Sequence, residues 1–237
     1  MNNIHPSGRP YTKEEFLKQL KIDKEFNEKY GNRKIDQISK IIDGLKNNPY
    51  SRYHILDAWE PEDFKDMALP PCHLLYQFIV RPLNEGERIG LLFKKVGDVK
   101  NYPEFVGKRL IDFCNKQDIP KFYLDLNMYQ RSVDTFLGCP FNIASMSLLL
   151  MIMAKVSNMI PGVANWIGGD THLYVDHIDQ VKEQLLREPR PLPHLEILKD
   201  IKTLEDIENL TIDDFHLSGY GNPHPAIKAE LFTGIKK

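Results

Sequence analysis

Residues 142–157, Asn-Ile-Ala-Ser-Met-Ser-Leu-Leu-Leu-Met-Ile-Met-Ala-Lys-Val-Ser, constrain this chain more than any other stretch. They are apolar almost all round, and their Leu, Met and Ala content favours helix. A helix without a polar face must be enclosed by other elements, so the run predicts a buried helix at the centre of the core. Its most apolar part, 146–156, is too short to cross a bilayer and is interrupted by Lys155, so no membrane partner is expected.

The other elements follow from periodicity and punctuation. Residues 1–11 read as irregular. Thr12 and Glu15 form a capping-box pattern that opens an amphipathic helix with Phe16, Leu20 and Phe26 on one face, ended by Gly31. Ile35, Ile38, Ile41, Ile42 and Leu45 predict a helix over 35–47, stopped by Pro49. Strands are predicted over 53–59, 73–80, 121–131 and 163–175, with shorter ones at 195–198 and 215–217. Further helices are expected at 176–186 and, as one turn, at 204–208. The polar stretch 81–120, with a helix over 104–116, reads as an insertion within a hairpin. It could cap a site entrance, extend an oligomer contact or lie inert on the surface. Helices and strands alternate without a strict βαβ order. The expected class is α+β, one domain over 1–237 with a mixed sheet packed on the buried helix and an atypical N-terminal segment, 1–34.

Charge narrows the partners. Lys and Arg total 31 against 33 acids, for a net charge of −2, so there is no basic footprint for nucleic acid or an anionic membrane. Any anion site must be local. Three cysteines (Cys72, Cys114 and Cys139) without Cys-x-x-Cys spacing suggest neither a disulfide framework nor a metal site. The first residues lack a basic region followed by an apolar core, so a cytoplasmic protein is expected.

Particular side chains then stand out. Pro70 and Pro71 stiffen the approach to Cys72, which lies at the mouth of a strand, where a nucleophile would be set; a lone cysteine can equally be a buried apolar residue. Arg131, within an apolar strand, needs an anion, which could be Asp134 or a ligand. Asn142 offers a donor and an acceptor that can read an amide edge, or it can cap a helix. His172 and Tyr174, two apart on a strand, could share one hydroxyl ligand. Arg52 is a surface cation or a phosphate ligand, and Cys139 reads as packing.

Six motifs occur together: Pro-Pro-Cys-His, Tyr-Gln-Arg-Ser-x-Asp, Phe-Leu-Gly-x-Pro-Phe-Asn-Ile-Ala-Ser, Gly-Asp-Thr-His-Leu-Tyr, Arg-Glu-Pro-Arg-Pro-Leu-Pro and Pro-His-Pro-Ala-Ile-Lys-Ala. In this order they resemble the folate-dependent thymidylate synthases over residues 35–229, apart from 81–120. The resemblance implies a thymidylate-synthase-like fold, a homodimer, and methylation of dUMP to dTMP with 5,10-methylenetetrahydrofolate as co-substrate. Cys72 matches the nucleophile that adds to C6 of dUMP, with Arg131 beside it and on the phosphate; Arg131 and Asp134 complete the catalytic set. Arg52, Gln130, Arg131, Ser132, Asp134, Asn142, His172 and Tyr174 match the dUMP ligands. Asp134, Leu137 and Gly138 match the folate side. Arg52 matches an arginine that reaches the other subunit's phosphate.

Three departures from the family pattern stand in the sequence. Tyr53 replaces a second cross-subunit arginine. The family's longer N-terminal part, with a further phosphate-binding arginine, a proton-managing glutamate and folate-packing tryptophans, has no matching motif in residues 1–34; Glu14, Glu15, Glu25 and Glu28 are the candidates for a replacement acid. The chain also continues past Ala229. The alternatives are therefore a dUMP hydroxymethylase, or a nucleotide-binding homologue without catalysis.

Overall fold

The computed structural model describes residues 35–97 and 107–230, together with Thr12, Glu14, Glu15, Lys18, Lys21 and Lys24. The chain divides into two compact units, Met1–Asp36 and Gln37–Lys237. In the first, the capping box closes both ways: Glu15 N donates to Thr12 Oγ1 (3.2 Å), and Thr12 N donates to the Glu15 carboxylate (3.0 Å). The face formed by Phe16, Leu20 and Phe26, its stop at Gly31, and the acids Glu25 and Glu28 lie outside the described residues.

The second unit is built on a four-stranded mixed sheet. Helix α1 (Gln37–Asn47) leads to a short strand β1 (Ile55–Asp57), a 3-10 turn (Pro61–Asp66) and strand β2 (His73–Pro82). Helices α2 (Glu85–Val96) and α3 (Lys108–Lys116) follow, then strand β3 (Phe122–Asp134), helix α4 (Gly138–Val156) and strand β4 (Ile160–His172). The remainder is helix α5 (Ile178–Leu185), strand β5 (His194–Ile197), helix α6 (Leu204–Glu208) and strand β6 (Phe215–Ser218). Strand order is β1-β2-β3-β4, with β5 and β6 forming a separate antiparallel pair. Strands β2 and β3 run antiparallel and β3 and β4 parallel, so α4 serves as the crossover that a parallel pair requires.

One face of the sheet carries the core. Phe78, Leu124, Leu126 and Met128 pack with Met146, Leu150 and Met153 of α4 and with Ile41 and Leu45 of α1. On the other face Ile79, Tyr129, Val163 and Ile167 are 39–52% exposed. Three expectations are corrected here. Helix α4 begins at Gly138, four residues early, because Pro140 lies in the first turn, where no intrahelical N–H is needed. Only its Met146, Leu150, Met153, Ala154 and Val156 side are enclosed, while Phe141 is 75% exposed. The burying surface is the sheet, and it covers one side of the helix however apolar the other side is. Strand β4 ends at His172, so Tyr174 falls just beyond it.

Between β2 and β3 the chain forms a small appendage with its own core of Leu92, Leu110, Cys114 and Ile119. Periodicity predicted only the second of its helices. Arg88 is buried there and donates to Pro120 O, Ile119 O and Asn115 Oδ1, which ties the appendage to the start of β3. Below it, Asp125 accepts from Arg81 (Nη2, 3.0 Å) and from Val163 N (2.7 Å). Burial works against the charged Asp125 carboxylate, but the Arg81 and Val163 hydrogen bonds outweigh it and hold its pKa below the ordinary value.

Gly162 makes this arrangement possible. A methyl group there would overlap Asp125 Oδ1 and stand 3.0 Å from Leu124 O, where strand backbone cannot give way. Gly162→Ala is expected to cost about 1–3 kcal/mol, read as a lower urea midpoint with an unchanged slope.

Candidate functional site

Pro70 and Pro71 carry the turn out of the 3-10 segment into β2, and Cys72 sits half-buried at its mouth. Strand β3 lies alongside, with His73 opposite Gln130 and Arg131 N donating to Cys72 O at 2.7 Å. The Arg131 side chain turns back over the same turn. Nε donates to Pro71 O (2.9 Å) and Nη2 to Pro70 O (2.8 Å), while Nη2 lies 3.9 Å from Cys72 Sγ. The guanidinium also stands over the Trp59 ring, 5.9 Å from its centroid, and Trp59 is braced by Phe64.

The local sequence explains this geometry. Prolines have no N–H and a fixed φ, so their carbonyls are presented as rigid acceptors. The planar fork of an arginine matches two such acceptors, whereas a lysine could satisfy them only one at a time. Among the described residues no carboxylate pairs with Arg131, so Asp134, the bland partner, is not its counter-ion. The result is an oriented cation beside a sulfur with capacity left for an anion. The other thiols are differently placed. Burial pushes Cys114 up, and burial followed by the charge of Asp134 pushes Cys139 up, so neither is set up to ionise.

The parallel ladder brings the remaining residues to the same sheet edge. Ser132 pairs with Asp170 and Asp134 with His172. Asp134 Oδ1 accepts from Phe136 N (3.1 Å) and Leu137 N (3.3 Å), so this carboxylate fastens the loop that enters α4 at Gly138. Asn142 lies inside α4 and makes no cap to its N-terminus. Its Oδ1 accepts from Gln130 Nε2 at 2.9 Å. Gln130, only 2% exposed, also donates to Ser132 O (3.1 Å) and accepts from Trp166 Nε1 (3.0 Å). Its amide is therefore spent on holding Asn142, whose Nδ2 is directed away from it. His172 and Tyr174 meet edge to face with centroids 4.9 Å apart, and His172 Nδ1 is 3.5 Å from Asp170.

Cys72, Arg131, Ser132, Asp134, Gly138, Asn142, His172 and Tyr174 thus gather at one end of β3 and β4, with Leu137 on the loop. Beside them a groove of about 1,080 Å³ runs between Phe136, Leu137 and Phe141 and the segments 184–193 and 220–227. Arg52 is not in this group. Phe78 N donates to His54 O, which puts Arg52 near the level of Val80. That is roughly eight strand residues from Cys72, on the order of 25 Å. Sequence reasoning did not see the Gln130–Trp166 pair or the Trp59 platform. The only available signal was a glutamine inside an apolar strand, which must find partners when buried.

Comparison with known proteins gives one answer. The thymidylate synthase family model matches residues 15–233. Thymidylate synthase of Saccharomyces cerevisiae is 42% identical over 202 residues, 85% of this chain and 55% of that protein. A protein named "Probable thymidylate synthase" from Escherichia phage T5 is 42% identical over 197 residues, 83% of this chain and 57% of that protein. The chain spans a little over half the length of these relatives.

Replacing Gln130 by leucine strips Asn142 and Trp166 of buried partners. The expected cost is about 1–3 kcal/mol, visible as a lower thermal midpoint than that of Asn127→Leu, a control at the exposed sheet face.

Proposed function

The chain belongs to the thymidylate synthase family, and from that premise we propose that it methylates dUMP to dTMP through a covalent adduct at Cys72. The observation that carries the reading is Arg131, held by Pro70 and Pro71 with its fork 3.9 Å from Cys72 Sγ and no carboxylate partner among the described residues. A cation so placed stabilises negative charge on the sulfur and can bind a phosphate at the same time. Ser132 lies next to it on the strand as a second phosphate ligand.

Asn142 supports uracil as the base. Gln130 occupies one lone pair of Oδ1. That leaves Oδ1 able to accept N3–H and Nδ2 able to donate to O4, a pattern that cytosine does not match. His172 and Tyr174 would hold the sugar hydroxyl. The sulfur bonds to C6, and the electron pair released from the ring double bond makes C5 a nucleophile. The co-substrate, 5,10-methylenetetrahydrofolate, supplies the one-carbon unit and the hydride that reduces it. Its residues here are Asp134, Leu137 and Gly138. The groove flanked by Phe136, Leu137 and Phe141 has the size that a flat ring with an extended tail requires, and its lining mixes these apolar side chains with Arg187, Arg190 and His224.

The position of Arg52 supports a homodimer. At on the order of 25 Å from its own Cys72 it can serve only a neighbour's site. The exposed apolar sheet face (Ile79, Tyr129, Val163 and Ile167) offers a surface for that association. Tyr53, 89% exposed beside Arg52, stands where the family has a second cation. Three unpaired thiols suit a reducing cytoplasm.

Incubation with 5-fluoro-dUMP and methylenetetrahydrofolate is expected to add the mass of both to the intact protein, with the label mapping to Cys72. Unmodified protein at saturation would overturn the proposal. Chromatography of the dUMP product separates dTMP from the hydroxymethyl compound. Arg52→Ala is expected to raise the KM for dUMP about tenfold or more, the loss of one charge-assisted contact; an unchanged KM would remove the cross-subunit role.

A further inference from the structure

Beyond the residues already assigned, one buried histidine makes a contact that packing alone does not explain. The segment after Gly219 runs to Glu230 without regular secondary structure and forms one wall of the groove through Tyr220 and Pro223–Ile227. With no ladder to hold it, its course depends on individual side-chain bonds. Three are present. His224 Nε2 meets Glu188 O (3.0 Å), Arg187 Nη1 donates to Pro225 O (2.7 Å), and His177 Nε2 meets Glu230 O (2.8 Å). The first two lie near the surface. His177 is 2% exposed and is the furthest anchor along the segment.

The chemistry of that imidazole is well defined. A carbonyl only accepts, so Nε2 carries the proton. Nδ1 is buried with no hydrogen-bond partner. A histidine retained for packing alone would leave a nitrogen unsatisfied at a cost that phenylalanine avoids. What the imidazole adds over phenyl is the single bond to Glu230. The ring lies against Phe136 (5.4 Å) on the loop that Asp134 fastens, and against Tyr174 (5.8 Å), the partner of His172. It therefore touches the loop, the sugar-side pair and the groove wall at one point.

We propose that His177 is a positioning residue that latches the 219–230 segment against the Asp134–Gly138 loop and so sets the width of the groove on the folate side. This rests on the thymidylate synthase reading for the ligand, though not for the latch. The residue touches no reacting atom; it acts through the wall it holds.

The test uses His177→Phe, which keeps the ring packing and removes only the bond, and His177→Gln, whose amide nitrogen can take the place of Nε2–H. The phenylalanine variant is expected to keep the wild-type melting temperature and to raise the KM for methylenetetrahydrofolate about fivefold or more, with the KM for dUMP within twofold. Trypsin cleavage after the exposed Lys228, read by mass, should quicken at least fivefold, and the glutamine variant should restore both values. Unchanged cleavage in the folded phenylalanine variant overturns the latch. An equal rise in both KM values assigns His177 to Tyr174 instead and overturns the folate-side role. A wild-type chain without turnover would end the function reading, while the cleavage rates would still decide the latch.

Discussion

The interaction between Arg131 and the two prolines before Cys72 organises this site. It is a contact between a side chain on β3 and a turn that leads into β2, so it exists only when those strands are paired in the observed register. A one-residue slip would turn Arg131 to the other face and leave the sulfur without its cation. Fold and chemistry are thereby specified by the same hydrogen bonds. The cost of such a design is a half-buried guanidinium without an acid partner among the described residues, and two carbonyls and an aromatic face share its charge.

A second network repeats the logic one layer deeper. Gln130 points into the core, where a polar side chain is a liability unless every group is matched. Its matches are Trp166 on β4, Ser132 O on β3 and Asn142 on α4. Three elements are thus indexed to one another by an amide that never meets solvent. The consequence for chemistry is orientation: Asn142 can present only one donor and acceptor pattern. Arg131 is fixed by the pairing of β2 with β3, and Asn142 is fixed through Gln130 on the same strand.

Much of this was legible from residues alone because motif-bearing stretches are also local-structure signals. The Pro70-Pro71 turn, the strand behind it and the apolar 142–157 run announced themselves. Helix α4 nevertheless starts at Gly138, since Pro140 is compatible with a first turn and periodicity cannot tell that from a stop. Its exposed Phe141 was illegible for a different reason: composition says that a helix wants burial, but neighbours decide which side receives it. Helix α2 was missed because Gly86 and Gly90 weaken its helical signal, and only the capping box at Asn84 and Glu87 marks its start. The Gln130 network and the Trp59 platform depend on side chains meeting across strands, which no window along the chain reports.

Strand direction also fixes where the appendage between β2 and β3 leaves and rejoins the sheet. Strand β2 leaves the site at His73 and reaches the appendage at Pro82; β3 starts from it at Phe122 and returns at Asp134. The appendage therefore joins the sheet roughly ten strand residues, on the order of 30 Å, from Cys72. It shares this end of the sheet with Arg52. Its separate small core packs on itself, and Arg88 ties it to the start of β3, the strand whose far end carries Arg131.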